Sequence, residues 1–281
     1  MTNRDGPDMS RTPRRIAVLG LSLFVAAALW PLYWIVVSSL TPEARLFEAP
    51  GLWPGTVVLD HYRALFAERE FWVPIRNSLI VAAATTLLAL VLGAPCAYAL
   101  ARLRLPGKTA ILAFVLAVSM FPQVAVISPL FLLLRTLGLI NTYTGLVLPY
   151  LTFAMPLTIW FLVGFFRQLP AELEDAAAMD GASRAHAFRA IVLPLAWPGL
   201  AAAGVLTFLY SWNEFLFALS FTLGPERYTV PVSIALFRGQ YQVSWGQVLA
   251  AAVVATAPVA ALVLVAQRRI VQGLTAGGVK G

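Results

Sequence analysis

The chain has 281 residues, 60% of them hydrophobic and only 12% charged, with a formal net charge of +7. A soluble domain of this length needs far more charge on its surface, which excludes soluble enzymes and soluble binding modules. The lone Cys96 excludes a disulfide framework and a cysteine-rich metal cluster.

Crossing the hydrocarbon as a helix takes roughly 20 apolar residues. Six segments meet that length, at about 16–40, 77–101, 109–134, 146–166, 195–222 and 247–266. The predicted fold is therefore an all-α membrane protein with six transmembrane helices. Its single domain covers 16–268, between an N-terminal tail (1–15) and a C-terminal tail (269–281). The first segment exceeds a signal-peptide core and has no small-residue cleavage site after it, so it reads as a signal anchor. Basic residues set the orientation. Arg4, Arg11, Arg14, Arg15, the 102–108 turn, the 167–189 loop and the C-terminus together hold 13, and the alternate side holds 7. Both termini are expected in the cytoplasm.

The external segment 41–76 mixes Pro42, Pro50, Pro54 and Gly55 with Trp53, Phe71 and Trp72. It reads as a loop with a short interfacial helix from Asp60 to Ala67, since Trp favours the membrane surface. Pro31, Pro95, Pro122, Pro129, Pro149, Pro156, Pro198 and Pro258 fall in the spans, which suits a bundle of bent helices. Gly107-Lys108-Thr109 mimics the end of a phosphate-binding loop. The required earlier glycine is Arg102, so no nucleotide cradle is expected. His61 and His186 both lie outside the spans, and no metal or nucleophile motif accompanies them.

Between the fourth and fifth spans, 168–194 reads as a short helix, a break and a second short helix. Pro170 is placed in the first turn, where proline is tolerated. Glu172, Glu174 and Asp175 follow, where the helix dipole favours acids. Gly181 suits a left-handed helix end, Ser183 a cap on the second helix, and Pro194 its stop. The outer face of this unit is free to dock on a partner.

Glu214 is the acid placed inside a span. Holding a charge at mid-bilayer costs on the order of 3 kcal/mol on insertion scales, so such a residue faces a cavity or a partner. Two readings stand. With Trp212 and Asn213 it lines a hydrophilic solute path, or it sits near the outer interface and bonds a neighbouring helix. Asn77 and Gln123 are further lining candidates, and each also suits interhelical hydrogen bonding. In 223–246, Tyr228, Val230, Val232 and Ile234 alternate with polar residues and proline before Arg238-Gly239-Gln240-Tyr241. That segment is either extended structure packed on a partner or an ordered external loop.

Asp175-Ala176-Ala177, three residues, Gly181, nine residues, then Ile191-Val192-Leu193-Pro194 resembles the EAA loop of bacterial ABC-importer permeases, with Asp175 in place of the family's glutamate. Arg102-Leu103-Arg104-Leu105-Pro106-Gly107-Lys108, Met120-Phe121-Pro122, Trp212-Asn213-Glu214 and the tail from Gln267 to Gly281 resemble the carbohydrate, maltose-permease G-like, branch. The likeness covers almost the whole chain from the first span onward, and within the branch it leans toward the second permease subunits of trehalose importers.

The resemblance implies a type I ABC importer permease fold in the bacterial inner membrane, with a cytoplasmic coupling helix between helices 4 and 5. It implies a sugar cargo, a disaccharide such as trehalose, with another oligosaccharide or a glycerol-phosphate type solute as the alternative. It implies a second homologous permease subunit, two ATPase subunits that hold ATP and Mg, and an extracytoplasmic sugar-binding lipoprotein, with membrane lipid around the spans. No cofactor of this chain's own and no nucleic acid are expected. The coupling residues it implies are Glu174, Asp175, Ala176, Ala177, Met179, Asp180, Gly181, Ile191, Leu193 and Pro194. In that scheme Ala176 and Ala177 allow close backbone approach, while Ile191, Leu193 and Pro194 anchor the second helix on the bundle. A secondary transporter would show coupling-ion carboxylates in several spans, and a scaffold or channel has no use for the loop.

Overall fold

The computed structural model describes residues 11–48, 52–237 and 243–275. In chain order its helices are α1 (Arg11–Ser39), α2 (Asp60–Ala67), α3 (Trp72–Arg102), α4 (Lys108–Ser119), α5 (Gln123–Thr136), α6 (Tyr143–Phe166) and α7 (Glu172–Met179). There follow α8 (Arg184–Ala187), a wide π turn (Phe188–Val192), α9 (Leu193–Leu195), α10 (Trp197–Asn213), α11 (Leu216–Phe221), α12 (Val230–Ala235) and α13 (Trp245–Thr275). No strand forms among the described residues. Arg238–Tyr241 and the tail beyond Thr275 lie outside the described residues.

Among the described residues, four helices are long and apolar enough to cross a membrane: Ile16–Ser39, Trp72–Arg102, Tyr143–Phe166 and Trp245–Gln267. The total is six if each of two bent pairs counts as one span. The predicted third span, 109–134, is one such pair, with α4 and α5 meeting at 87°. Pro122 stands at this break, lacking the N–H that would continue α4. The predicted fifth span, 195–222, is also divided. Arg184–Leu195 and Trp197–Asn213 meet at 75°, and α10 ends at Asn213, before Glu214. Pro198 lies in the first turn of α10, while Pro31, Pro95, Pro129, Pro149, Pro156 and Pro258 lie within helices.

The chain divides into two compact units, Met1–Arg69 with Phe237–Val254, and Glu70–Leu236 with Ala255–Gly281. In the first, α2 forms at the predicted residues. It is held by a 2.7 Å hydrogen bond between Ser39 Oγ and the Tyr62 hydroxyl, and by His61 Nε2, 2.9 Å from the Thr41 carbonyl. The Glu43 carboxylate accepts from the Trp245 and Gly246 N–H groups at 2.8 and 2.9 Å, capping the first turn of α13. Gly246 lies under the His61 ring, and a Cβ there would fall 2.2 Å from Cε1.

In the second unit α3, α6 and α10 form the packed centre. One cluster joins Ala94, Ala97 and Leu100 of α3, Leu162 and Phe166 of α6, and Leu200 and Ala203 of α10. Small residues on α3 and α10 let the backbones approach closely. A second cluster gathers Val81, Tyr150, Phe153, Phe217 and Phe221. The alternating stretch 228–234 does not form a strand. Val230–Ala235 is a helix with Pro231 in its first turn, and Val230 and Val232 are both buried. Proline serves a helix start well and a strand interior badly, which is why the alternation misleads.

Candidate functional site

The stretch between α6 and α10 folds as a helical elbow. Its first helix, α7, starts at Glu172, one residue after its N-cap Ala171. Pro170 therefore precedes the helix and does not sit in its first turn. Glu172, Glu174 and Asp175 occupy that turn, at the positive end of the helix dipole. The Ala182 N–H bonds the Ala177 carbonyl at 2.9 Å, and Gly181 adopts φ +81°, a left-handed helix end. Ser183 then caps α8 by accepting from the His186 N–H at 3.3 Å.

Pro194 does not stop the second helix. The ribbon widens first, and the Leu193 N–H bonds the Phe188 carbonyl five residues back. A π turn of this kind accommodates a residue that lacks its own N–H. The helix runs on to Leu195, and the bend falls at Ala196. Of the expected anchors, Leu193 is half-buried against the cluster of α3, α6 and α10, Ile191 is half-buried and Pro194 is exposed, while Val192 and Ala187 are buried. Phe188 packs its ring 4.7 Å from Tyr98 and 6.4 Å from Phe166.

On α7, Met179 is 85% exposed, and Asp175, Ala176 and Asp180 face outward with it. Ala177 is buried against its own chain. Glu174 turns inward. Its carboxylate lies 2.9 Å from Arg102 Nε and accepts from the Tyr98 hydroxyl at 2.8 Å. Arg102 also donates to the Leu169 carbonyl. Between α3 and the elbow lies a cleft of about 320 Å³, lined by Tyr98, Arg102, Glu174, Asp175 and Arg184 among others. Arg102 entered the sequence reading as a topology charge, as the residue that breaks a phosphate-loop pattern and as part of the 102–108 likeness, never as a partner of Glu174. Its role was invisible there because 72 residues separate it from Glu174.

The pathway candidates separate. Asn77 is fully buried, donating to the carbonyls of Glu226 (3.0 Å) and Tyr228 (2.9 Å) and accepting from the Tyr143 hydroxyl (2.7 Å). Glu214 is also buried, beyond the end of α10. Its carboxylate accepts from the N–H groups of Phe217 (2.9 Å) and Ala218 (3.2 Å) and so caps α11. Trp212 is buried and stacks on Phe208, with centroids 5.8 Å apart. Asn213 is exposed, and Gln123 donates to the Tyr210 hydroxyl at 2.7 Å. Asn141 was missed by the sequence reading. It adopts φ +60° and binds both Glu226 and the Leu223 N–H, securing the far end of the bundle.

Residues 89–276, which include the whole elbow, match the family described as binding-protein-dependent transport system inner membrane component. The chain belongs to that family. This inner membrane component is 45% identical over 262 residues to the trehalose transport system permease protein SugB of Mycobacterium tuberculosis (strain CDC 1551 / Oshkosh), covering 92% of this chain and 95% of that one. It is 41% identical over 264 residues to the sulfoquinovosyl glycerol transport system permease protein SmoH of Agrobacterium fabrum, covering 94% and 93%. It is 38% identical over 271 residues to the trehalose/maltose transport system permease protein MalG of Thermococcus litoralis, covering 95% and 97%. The crystal structure of a bacterial ABC transporter involved in the import of the acidic polysaccharide alginate shares its fold, with a TM-score of 0.77 at 23% identity over 94% of this chain and 99% of that one.

Proposed function

We propose that this chain is a permease subunit of an ATP-driven, binding-protein-dependent sugar importer, and that its cargo is a disaccharide such as trehalose. The observation that carries the reading is the elbow: a short helix with Asp175, Ala176, Met179 and Asp180 outward and a left-handed Gly181 behind it. An exposed methionine flanked by acids suits a groove on a partner protein. The sugar assignment is supported by the trehalose permease relative at 45% identity. The relative that carries sulfoquinovosyl glycerol, at 41%, favours a glycosylated glycerol as the second reading.

In this scheme the basic-residue count puts both termini and the elbow on the cytoplasmic side. Two ATPase subunits bind ATP and Mg, and α7 seats in a groove on one of them. A second, homologous permease subunit completes the route, and a binding protein delivers the sugar from the other side. When the ATPases close, α7 moves with them and the spans tilt. Asn213 is exposed with its amide N–H on the Leu209 carbonyl, and Gln123 donates to the Tyr210 hydroxyl, so their side-chain oxygens are what they offer the route, whereas Glu214 and Asn77 are buried and bonded within the chain.

The test is reconstitution. The affinity-tagged chain should bring down an ATPase subunit and a second permease, and the complex in proteoliposomes should take up a labelled disaccharide from a panel. Purification without any ATPase would overturn the importer assignment. Uptake of glycosylated glycerols but no disaccharide would select the second reading.

A further inference from the structure

We propose that Glu174, Arg102 and Tyr98 form a strut that carries the movement of α7 into the membrane bundle, so that Glu174 is a positioning residue and not part of the surface offered to the ATPase. The proposal rests on the reading that α7 meets an ATPase.

Four observations carry it. First, Glu174 is the withdrawn acid on α7. Its side chain is 18% exposed, while Glu172 and Asp175 face solvent. Second, Tyr98 and Arg102 are four residues apart in the last turns of α3, so they share one face of that helix. Third, this face grips the elbow in three places. Arg102 holds the Leu169 carbonyl ahead of α7, both residues hold Glu174 in its first turn, and the Tyr98 ring packs on Phe188 beyond it. Fourth, α3 packs through Ala94, Ala97 and Leu100 into the cluster shared with α6 and α10.

The chain at either end of α7 is a poor lever. Pro170 offers no N–H to tie the chain ahead of it, and behind it Gly181 turns left-handed with open space where a Cβ would stand. A helix hung between two such points pivots under load. Tying its first turn to α3 and the following π turn to the same helix removes that rotation. A push on α7 then arrives as a tilt of α3 together with α6 and α10. The Arg102 side chain is 14% exposed, so water offers the pair little replacement if it parts.

The experiment uses the full reconstituted complex, with Glu174→Lys, Arg102→Glu, the double exchange, and Tyr98→Phe, reading sugar imported per ATP hydrolysed. A Met179→Cys cross-link to the ATPase subunit is scored in each background. Either single exchange should lower the coupling ratio by about tenfold while the cross-link persists. The double exchange should recover to within about threefold of the parent. Tyr98→Phe, which keeps the ring and so the fold, should lower the ratio by about twofold to threefold. A cross-link retained with an unchanged ratio in all variants overturns the strut alone. A cross-link lost on Glu174→Lys and not restored by the double exchange shows Glu174 to be a docking contact, which also overturns it. No cross-link in the parent removes the coupling reading and the strut together.

Discussion

The Phe165 ring of α6 lies directly over Gly199 of α10. A Cβ at Gly199 would fall 2.4 Å from Phe165 Cγ, inside any real carbon–carbon contact. Phe165 is itself buried in the cluster that joins α3, α6 and α10, so it has little room to retreat. Gly199→Ala should cost about 1–3 kcal/mol by overpacking. Thermal unfolding in detergent should show a lower midpoint, partly restored by adding Phe165→Ala. An unchanged midpoint would mean that the ring swings aside freely.

Gly181 presents the opposite case. Nothing stands within 4 Å of a Cβ built there, so any penalty comes from φ +81° alone. A non-glycine residue in this region costs about 1–2 kcal/mol, and a β-branched one more. Gly181→Val should insert normally yet lose uptake and ATPase coupling, while Gly181→Asn should stay close to the parent. Parental transport by the valine variant would show that the turn need not be left-handed.

Asn77 uses both amide hydrogens on carbonyls of the 226–228 segment and its oxygen on Tyr143. Asn77→Ala leaves those buried groups unmatched, at about 1–3 kcal/mol. The expected result is a lower unfolding temperature with an unchanged KM for the sugar. A raised KM at parental stability would return Asn77 to the solute route.

Glu214 caps α11 through two backbone N–H groups. Glu214→Ala should cost about 0.5–2 kcal/mol, the usual range for a lost cap, and Glu214→Gln less, because its carbonyl still serves one donor. Both should lower maximal uptake more than they change KM. A KM rise of about tenfold or more for the glutamine variant would mark a direct sugar contact.

Legibility in the sequence followed the range of the forces involved. The apolar lengths identified the four unbroken apolar helices, and local chemistry identified α2, the Gly181 turn and the Ser183 cap, because each depends on residues a few positions apart. Pro122 marked a bend in the third span, but its size, 87°, was hidden because hydropathy is blind to direction. Glu214 was placed inside a span with two readings open, because nothing in the apolar length marks that α10 ends at Asn213 and α11 begins at Leu216. The inward turn of Glu174 depends on Arg102 and Tyr98, which are distant in the chain. Val192 was passed over because a motif read by its fixed positions draws the eye to Ile191, Leu193 and Pro194 instead.

The break between α4 and α5 has a consequence for where the molecule can reside. The ladder of α4 ends with the Met120 and Phe121 N–H groups on the Ala117 and Val118 carbonyls, and Pro122 has no N–H to carry it on. The first turn of α5 lacks the carbonyls of a preceding turn, with only the Ala125 N–H reaching back to Pro122. Met120 is 84% and Phe121 55% exposed, so the chain's own side chains leave this corner bare. Hydrocarbon tails offer nothing to a peptide group. If the pair crosses as one span, a solitary copy adrift in lipid would carry an open seam within the hydrocarbon, closed only by moisture or by a neighbouring polypeptide.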